Sequence, residues 1–565
     1  MLPRTDFAFA WPFRVAIFLL IAITAGRSSL ATEVSDDAAP EFWKAAGENG
    51  AVVAGGAEAA EAAIDVLQNG GNAVDAAVAA LMVLSVTDSP SFCFGGEVPI
   101  MVYHAKRDVV EIVAGQGWAP KLATLEYFKQ NHAARIPGSN HPTTAAVPAA
   151  LDAYLTSLDR YGTKTFSELA QPALEILDRH QKGWQPDLAN TIRRLVKAEK
   201  RSPDDRRKGL RLVADCFYRG PIARELDSWS REHGGLLRYA DLSQHSTRIE
   251  EPVAIEYRGH AVYKCGTWTQ GPYLLQTLRL LEGFDVKSLG HNSPDYVHLL
   301  TESMKLALAD RDTYYGDPIL VKVPLQELLS RRYADLRRPL IDMKKASLAQ
   351  RPGDPLSLKP LLKTAPQDYR PLVDPIRDTT TCLVADRWGN VVAATPSGWG
   401  GVLAGKTGIM LGSRLRSFNT RAGHPNCIAR GKRPRITLTP TLVFRHGKPV
   451  AAISVAGGDM QDQVTLQVLL GYVEFGLSPS QAVTSPRFVT DHLIGSFNQP
   501  PPQLGSLSLN PSIGEDVIEA LSARGHRTKV ARPPLAHPVM LTIDAKTGRK
   551  QAAGDPKARR HARAY

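Results

Sequence analysis

Cysteine is scarce. Five residues in 565 (Cys93, Cys216, Cys265, Cys382, Cys427) are far apart, and none forms a C-x-x-C pair. This spacing supports no zinc cluster, and at most two disulfides could form, leaving an odd thiol. After the first 31 residues there is no apolar run of membrane-spanning length. Internal repeats are also missing, as is any low-complexity tract beyond one proline-rich stretch, so solenoid architectures are excluded. An acidic balance is missing too: 68 Lys and Arg face 56 Asp and Glu, for a net charge of +12. The basic residues fall in separate clusters at 200–208, 331–338 and 557–563, the first two interrupted by Asp. They read as solvated faces and not as a nucleic-acid site. Neither a metal nor a cofactor is called for.

The composition is otherwise that of a globular chain, 43% apolar and 22% charged, with ample material for a large core. At the N-terminus, Arg4 and Arg14 precede an apolar stretch over 15–25, and Ser29-Leu30-Ala31 supplies small residues for a signal peptidase. Residues 1–31 therefore read as a secretory signal peptide, and the mature chain is expected to be periplasmic or secreted, free of the membrane.

Helical spacing runs over 57–67, where Ala60, Ala63, Ile64 and Leu67 share a face. Gly70-Gly71 ends that helix, and Asn72 is placed to cap a nearly all-apolar one over 73–86. The pattern is again helical over 151–212, and Ser293-Pro294 is a strong helix start. Short β patterns flank turns at 258–260, 387–390, 445–448 and 546–548. The third of these hairpins runs directly into Gly457-Gly458 and then an amphipathic helix over 461–475. Hairpins with intervening helices predict an α+β fold of sheets sandwiched between helices.

Between 351 and 378 stand Pro352, Pro355, Pro360, Pro366, Pro371 and Pro375. Proline donates no backbone hydrogen bond, so this is a linker, expected to be mobile, and not a helix or central strand. It ends at Asp378-Thr379-Thr380-Thr381, where a strand is predicted over 379–384. A threonine hydroxyl is a weak nucleophile without a neighbouring base. An N-terminal threonine carries its own, an α-amino group of pKa about 7.7–8.0. Cutting before Thr379 would create one: its hydroxyl attacks the Asp378 carbonyl, and water then hydrolyses the ester. The developing oxyanion needs fixed donors, and Gly457-Gly458 suits this because no side chain stands between its N–H groups and the reacting carbonyl.

Taken together, several stretches resemble the γ-glutamyltransferase family of N-terminal-nucleophile hydrolases. They are residues 70–77 (GGNAVDAA), 307–318 (ALADRDTYYGDP), Asp378-Thr379-Thr380, 386–390, Lys432-Arg433-Pro434, Thr439-Pro440-Thr441 and Ala456-Gly457-Gly458. They occur in the family's order from about residue 50 to the C-terminus. The resemblance implies a four-layer αββα sandwich and self-cleavage between Asp378 and Thr379. It also implies a heterodimer of the two fragments, a large subunit 32–378 and a small subunit 379–565. By position it makes Thr379 the nucleophile, Ser397 its supporting hydroxyl, and Gly457 and Gly458 the oxyanion hole.

The substrate-reading positions depart from the family. Gln116 stands where an arginine grips the α-carboxylate, and Trp399 replaces a pocket asparagine. Ile436-Thr437 replaces a serine pair, and no carboxylate stands near Arg416-Ser417, where the α-amino group is held. Glutamine hydrogen-bonds but lacks the charged fork of arginine. Arg433 or Arg435 offers a replacement cation or forms an exposed basic loop. Asp459 either binds a substrate amine or, preferably, caps the following helix. The expectation is an exported, self-processing amidase. It forms an acyl–Thr379 ester from a small-molecule amide or peptide and releases it to water or an acceptor amine. The alternatives are an acylase of the glutaryl or cephalosporin type, and an inert binding homologue.

Overall fold

Period-two strands with small and β-branched residues bury both faces only when layers close over each of them. The computed structural model, which describes residues 41–180, 182–362, 379–398 and 400–565, shows that closure. One seven-stranded antiparallel sheet runs, in spatial order, His561–Ala564, Ala51–Ala54, Cys382–Ala385, Val391–Ala394, Val98–His104, Val109–Gly115 and Arg248–Glu250. The other runs Lys44–Gly47, Lys550–Gly554, His537–Ile543, Lys448–Ala456, Thr441–Arg445, His260–Lys264 and Val253–Tyr257. The first, entered by the candidate nucleophile Thr379, is called the nucleophile sheet below, and the second the glycine sheet.

Alternation along the strands sorts the side chains. Val53, Leu383 and Ala393 meet Leu442, Ala452 and Leu541 between the sheets. Their chain neighbours Val52, Val384 and Val392 pack outward on helices Ala57–Gln68 and Ala73–Thr87. Behind the glycine sheet, Val443, Ile453 and Met540 pack with helices Pro272–Leu281, Pro294–Tyr314 and Gln461–Val473. The result is helix, sheet, sheet, helix, as expected. Each fully buried aliphatic side chain stabilises it by about 1.5–3 kcal/mol.

Local rules set the helix starts. The Asn72 side chain accepts from the N–H groups of Val74 and Asp75, and Asp75 answers by accepting from Asn72 N–H. Ser293 caps Pro294–Tyr314 through Tyr296 N–H. The Asp386 carboxylate ties the 386–390 turn together and also accepts from Ala73 N–H (2.9 Å), binding the nucleophile sheet to the outer helix.

Phe42–Tyr565 forms one compact unit. Within it, residues on both sides of Thr379 supply strands to both sheets. Fragments produced by a cut there would share two sheets and could not part without breaking them.

Three expectations meet different outcomes. The strand predicted from Thr379 begins only at Cys382, because Thr379 takes a left-handed φ of +70°, which no strand tolerates. Residues 351–362 carry no helix or strand, yet they are pinned: Arg337 donates to the carbonyls of Arg351 and Pro360, and Gly353 N–H donates to Asp310. The rest of the linker, Asp378, Trp399 and the signal segment lie outside the described residues. All five cysteines are unpaired. Among the described residues no helix is long and apolar enough to cross a membrane, and no cluster of His, Cys, Asp or Glu is placed to hold a metal.

Candidate active site

Thr379 enters the nucleophile sheet from its buried end, 1% exposed. Its N–H donates to the Ser91 carbonyl (3.3 Å), and the same carbonyl accepts from Gly398 N–H (3.2 Å). Thr380 N–H donates to the Pro396 carbonyl (3.0 Å). One backbone bond thus joins 379–380 directly to 396–398, the segment carrying Ser397, and the shared Ser91 carbonyl links them a second time. Close approach on the other side requires glycine, because a Cβ on Gly55 would sit 1.9 Å from the Thr380 hydroxyl. A β-branched residue at positive φ costs on the order of 1–3 kcal/mol and persists only where the surroundings enforce it.

Ser397 is fully buried and pairs with Glu97 through both backbone groups (2.8 and 2.9 Å). Its hydroxyl accepts from Arg414 Nη2 (2.8 Å), while Arg414 Nε donates to Glu97 Oε1 (2.6 Å). A buried ion pair therefore stands behind the Ser397 hydroxyl. It joins residues 317 positions apart, and nothing in the sequence pattern marks either partner.

On the glycine sheet, strand Lys448–Ala456 runs straight into Gly457 and Gly458, with φ of +136° and +59°. Both values belong to the region that disfavours L side chains. A Cβ on Gly457 would also crowd Ala536 at 3.0 Å. The turn is fixed from behind by Arg311 of the 307–318 motif. Its guanidinium donates to Asp459 (2.7 Å) and to the Gln270 carboxamide oxygen (2.9 Å), and Gln270 Nε2 reaches the Gly458 carbonyl (3.4 Å). Asp459 also accepts from Ser496 N–H and hydroxyl (2.7 and 2.6 Å). It makes no cap for Gln461–Val473, whose start carries no side-chain cap. Its carboxylate is engaged by a cation that the chain itself supplies.

Gln461, the first residue of that helix, was not singled out from the sequence. Its buried carboxamide lies against the Thr379 hydroxyl (3.1 Å), the carbonyls of Thr437 and Val455 (3.0 Å each) and, at longer range, the Thr437 hydroxyl (3.4 Å). Two carbonyl oxygens can be met only by N–H, so the amide nitrogen faces them and the oxygen accepts from the Thr379 hydroxyl.

The substrate-reading candidates are built less tightly. Gln116 is 2% exposed and donates to the Gly117 carbonyl (2.8 Å), while its Oε1 has no partner. It borders a cavity of about 280 Å³ with Trp118, Asp241, Arg248 and Arg433. No hydrogen bond among the described residues joins it to Thr379. Thr437 is buried and lends its carbonyl to Gln461. Near the expected ammonium site stands a buried guanidinium, Arg416, whose Nε donates to Asn498 Oδ1 (3.0 Å).

Arg433 and Arg435 do not form an exposed loop, being 4% and 1% exposed. Arg433 holds Asp317 (2.9 Å) and Glu250 (2.7 Å), and Arg435 holds Asp312 (3.1 Å), so the motif cations serve the motif acids. Burial pushes the Cys382 thiol up to about 12 and that of Cys93 higher, so neither competes with a hydroxyl nucleophile near neutral pH.

The two antiparallel sheets between helical layers are the sandwich of the N-terminal-nucleophile hydrolases. The gamma-glutamyltranspeptidase family model matches residues 59–180 and 175–565, and the chain belongs to this family of hydrolases and transferases. It is 28% identical over 540 residues to the glutathione hydrolase proenzyme of Bacillus subtilis (strain 168), covering 90% of each chain. To the acylase ACY 1 proenzyme of Pseudomonas sp. (strain SE83) it is 31% identical, covering 87% of this chain and 88% of that one. The solved cephalosporin acylase from Bacillus halodurans shares the fold, with a TM-score of 0.80 at 24% identity over 95% of this chain and 99% of that one.

Proposed function

We propose that the chain is an exported amidase that cuts itself between Asp378 and Thr379 and then uses Thr379 as its nucleophile. The observation that carries this reading is Thr379 itself, a buried β-branched residue at φ +70° with its hydroxyl held. Oγ attacks the Asp378 carbonyl carbon, the C–N bond breaks, and the hydroxyl proton passes to the departing nitrogen. Water hydrolyses the resulting ester, leaving an Asp378 carboxyl end and a free Thr379 amine and hydroxyl. Cleavage also frees Thr379 of its constraint at φ. The new amine, beside the Ser91 carbonyl, takes the Oγ proton as Oγ attacks a substrate amide. The Gly457-Gly458 turn receives the oxyanion, the leaving amine takes the proton, and water or an acceptor amine discharges the acyl ester.

For the acyl group we favour one that is not a zwitterionic γ-glutamyl head. Gln116 lacks a charged fork, and a guanidinium, Arg416, stands near the expected ammonium site. Losing several charged contacts, each worth about 1.5–3 kcal/mol, weakens such a head by orders of magnitude. A mono-anionic acyl chain such as glutaryl suits this surround better, in line with the likeness to an acylase proenzyme. N-terminal sequencing of the purified protein tests the first claim: a fragment must begin Thr-Thr-Thr-Cys. Comparing glutaryl-p-nitroanilide with γ-glutamyl-p-nitroanilide tests the second, and preference for the γ-glutamyl compound would overturn it.

A further inference from the structure

We infer that Gln461 is a positioning residue for the Thr379 hydroxyl, in self-cleavage and in turnover. The inference rests on the reading of Thr379 as nucleophile. The carboxamide is a three-way bracket. Its nitrogen is claimed by the carbonyls of Thr437 and Val455, one on the loop before strand Thr441–Arg445 and the other two residues before Gly457. That turns its oxygen toward Thr379 Oγ (3.1 Å), with the Thr437 hydroxyl farther off at 3.4 Å. A single side chain thus fixes the nucleophile's rotamer relative to the strand that delivers the oxyanion glycines. A carboxamide oxygen is far too weak a base to take the hydroxyl proton. That proton goes to the nitrogen of Thr379 in both reactions, and Gln461 supplies only the place from which it leaves.

Holding a nucleophile in register is the kind of contribution that a 1 Å misplacement costs about 100-fold. Gln461→Met keeps length and volume but loses both polar ends, so self-cleavage and kcat should fall roughly 10- to 100-fold, with KM little changed. Gln461→Glu gives a signature that a merely structural role would not. As the protonated acid it still donates to one carbonyl and accepts from Thr379. Once ionised it faces two carbonyl oxygens with no hydrogen to offer. A carboxyl in that position holds its proton to higher pH than an exposed one. Cleavage by this variant should therefore approach the wild-type rate at acid pH and fall, with a new titration, as pH rises.

The experiment follows precursor disappearance on gels from pH 5 to 9, with kcat and KM of matured protein on glutaryl-p-nitroanilide or γ-glutamyl-p-nitroanilide, whichever the wild type turns over. Both variants within two-fold of wild type across that range would overturn the inference. So would a Gln461→Glu profile parallel to wild type. If Gln461→Met does not fold, the Gln461→Glu profile decides alone. A wild-type chain that never cleaves sinks the Thr379 reading instead, and the two failures are thereby distinguished.

Discussion

The wall behind Thr379, the proposed nucleophile, and the wall expected to read the substrate are built to different standards. The side chains of Thr379, Ser397, Gln461 and Asp459 find partners in the chain, and cations such as Arg414 and Arg311 are matched by Glu97 and Asp459, although the neighbouring Thr381 hydroxyl and Asp462 Oδ2 are buried without a partner. Around Gln116 an amide oxygen is buried without a partner, and Arg416 places a buried guanidinium beside Asn498. A buried polar network rigidifies only if every member is satisfied. The Thr379 and Ser397 side chains are therefore held by the chain itself, whereas the Gln116 surround keeps polarity that a bound molecule could complete.

The largest effect should come from Thr379→Ala. Cleavage and turnover are expected to fall at least about 1,000-fold, leaving one undivided band on a gel. A variant that still yields two fragments would break the comparison at its root. Next in size, Arg414→Leu strands the Glu97 carboxylate and leaves the Ser397 hydroxyl without that donor. Breaking a buried pair costs about 3–5 kcal/mol, measurable by urea unfolding in the uncleaved Thr379→Ala background, where chemistry cannot confuse the reading.

Acid pH offers an intermediate effect lying outside both walls. His492 and His526 are buried beside Lys305, and His526 bonds to His298, which lies near Glu302 and Arg524. Burial lowers both His492 and His526 from 6.5 to about 3. Their folded pKa lies below the unfolded value, so the unfolded chain takes up protons first as pH falls. Stability is full above about 6.5 and is lost between there and about 3, at up to ~1.4 kcal/mol per pH unit for each histidine. His526→Gln should flatten that slope in urea titrations at pH 7.5 and 5.5. An unchanged slope would assign the acid loss elsewhere.

The smallest effect belongs to Gln116→Leu. Replacing a half-satisfied amide by an apolar isostere should move stability by less than about 1 kcal/mol. If KM for the acyl substrate nonetheless rises ten-fold while kcat holds, Gln116 reads the substrate. If KM is unmoved, its cavity serves something other than the acyl head.

Much of the framework was legible locally. Asn72, Ser293 and the hairpin turns announce themselves because capping and turn chemistry act within a few residues. The Gly457-Gly458 pair was legible because two glycines directly after a strand leave their N–H groups open with no side chain between. Gln461 was invisible because a glutamine opening a helix carries no periodic signal, and its partners come from Thr379, Thr437 and Val455. Asp459 read as a cap for the same reason: sequence shows the neighbouring helix but not Arg311, 148 residues away.

The sequence by itself determined the helix starts, the hairpin turns and the α+β class, since each follows from capping chemistry, turn residues or hydrophobic period, while its resemblance to a known family pointed to the four-layer sandwich and to Thr379. Only the tertiary structure decided that Thr379 leaves the strand with a left-handed φ, and that Arg414 and Arg311 are committed to Glu97 and Asp459. It alone also decided that one carboxamide brackets the nucleophile. Those are contacts between residues far apart in the chain, and their geometry exists only once both sheets have closed.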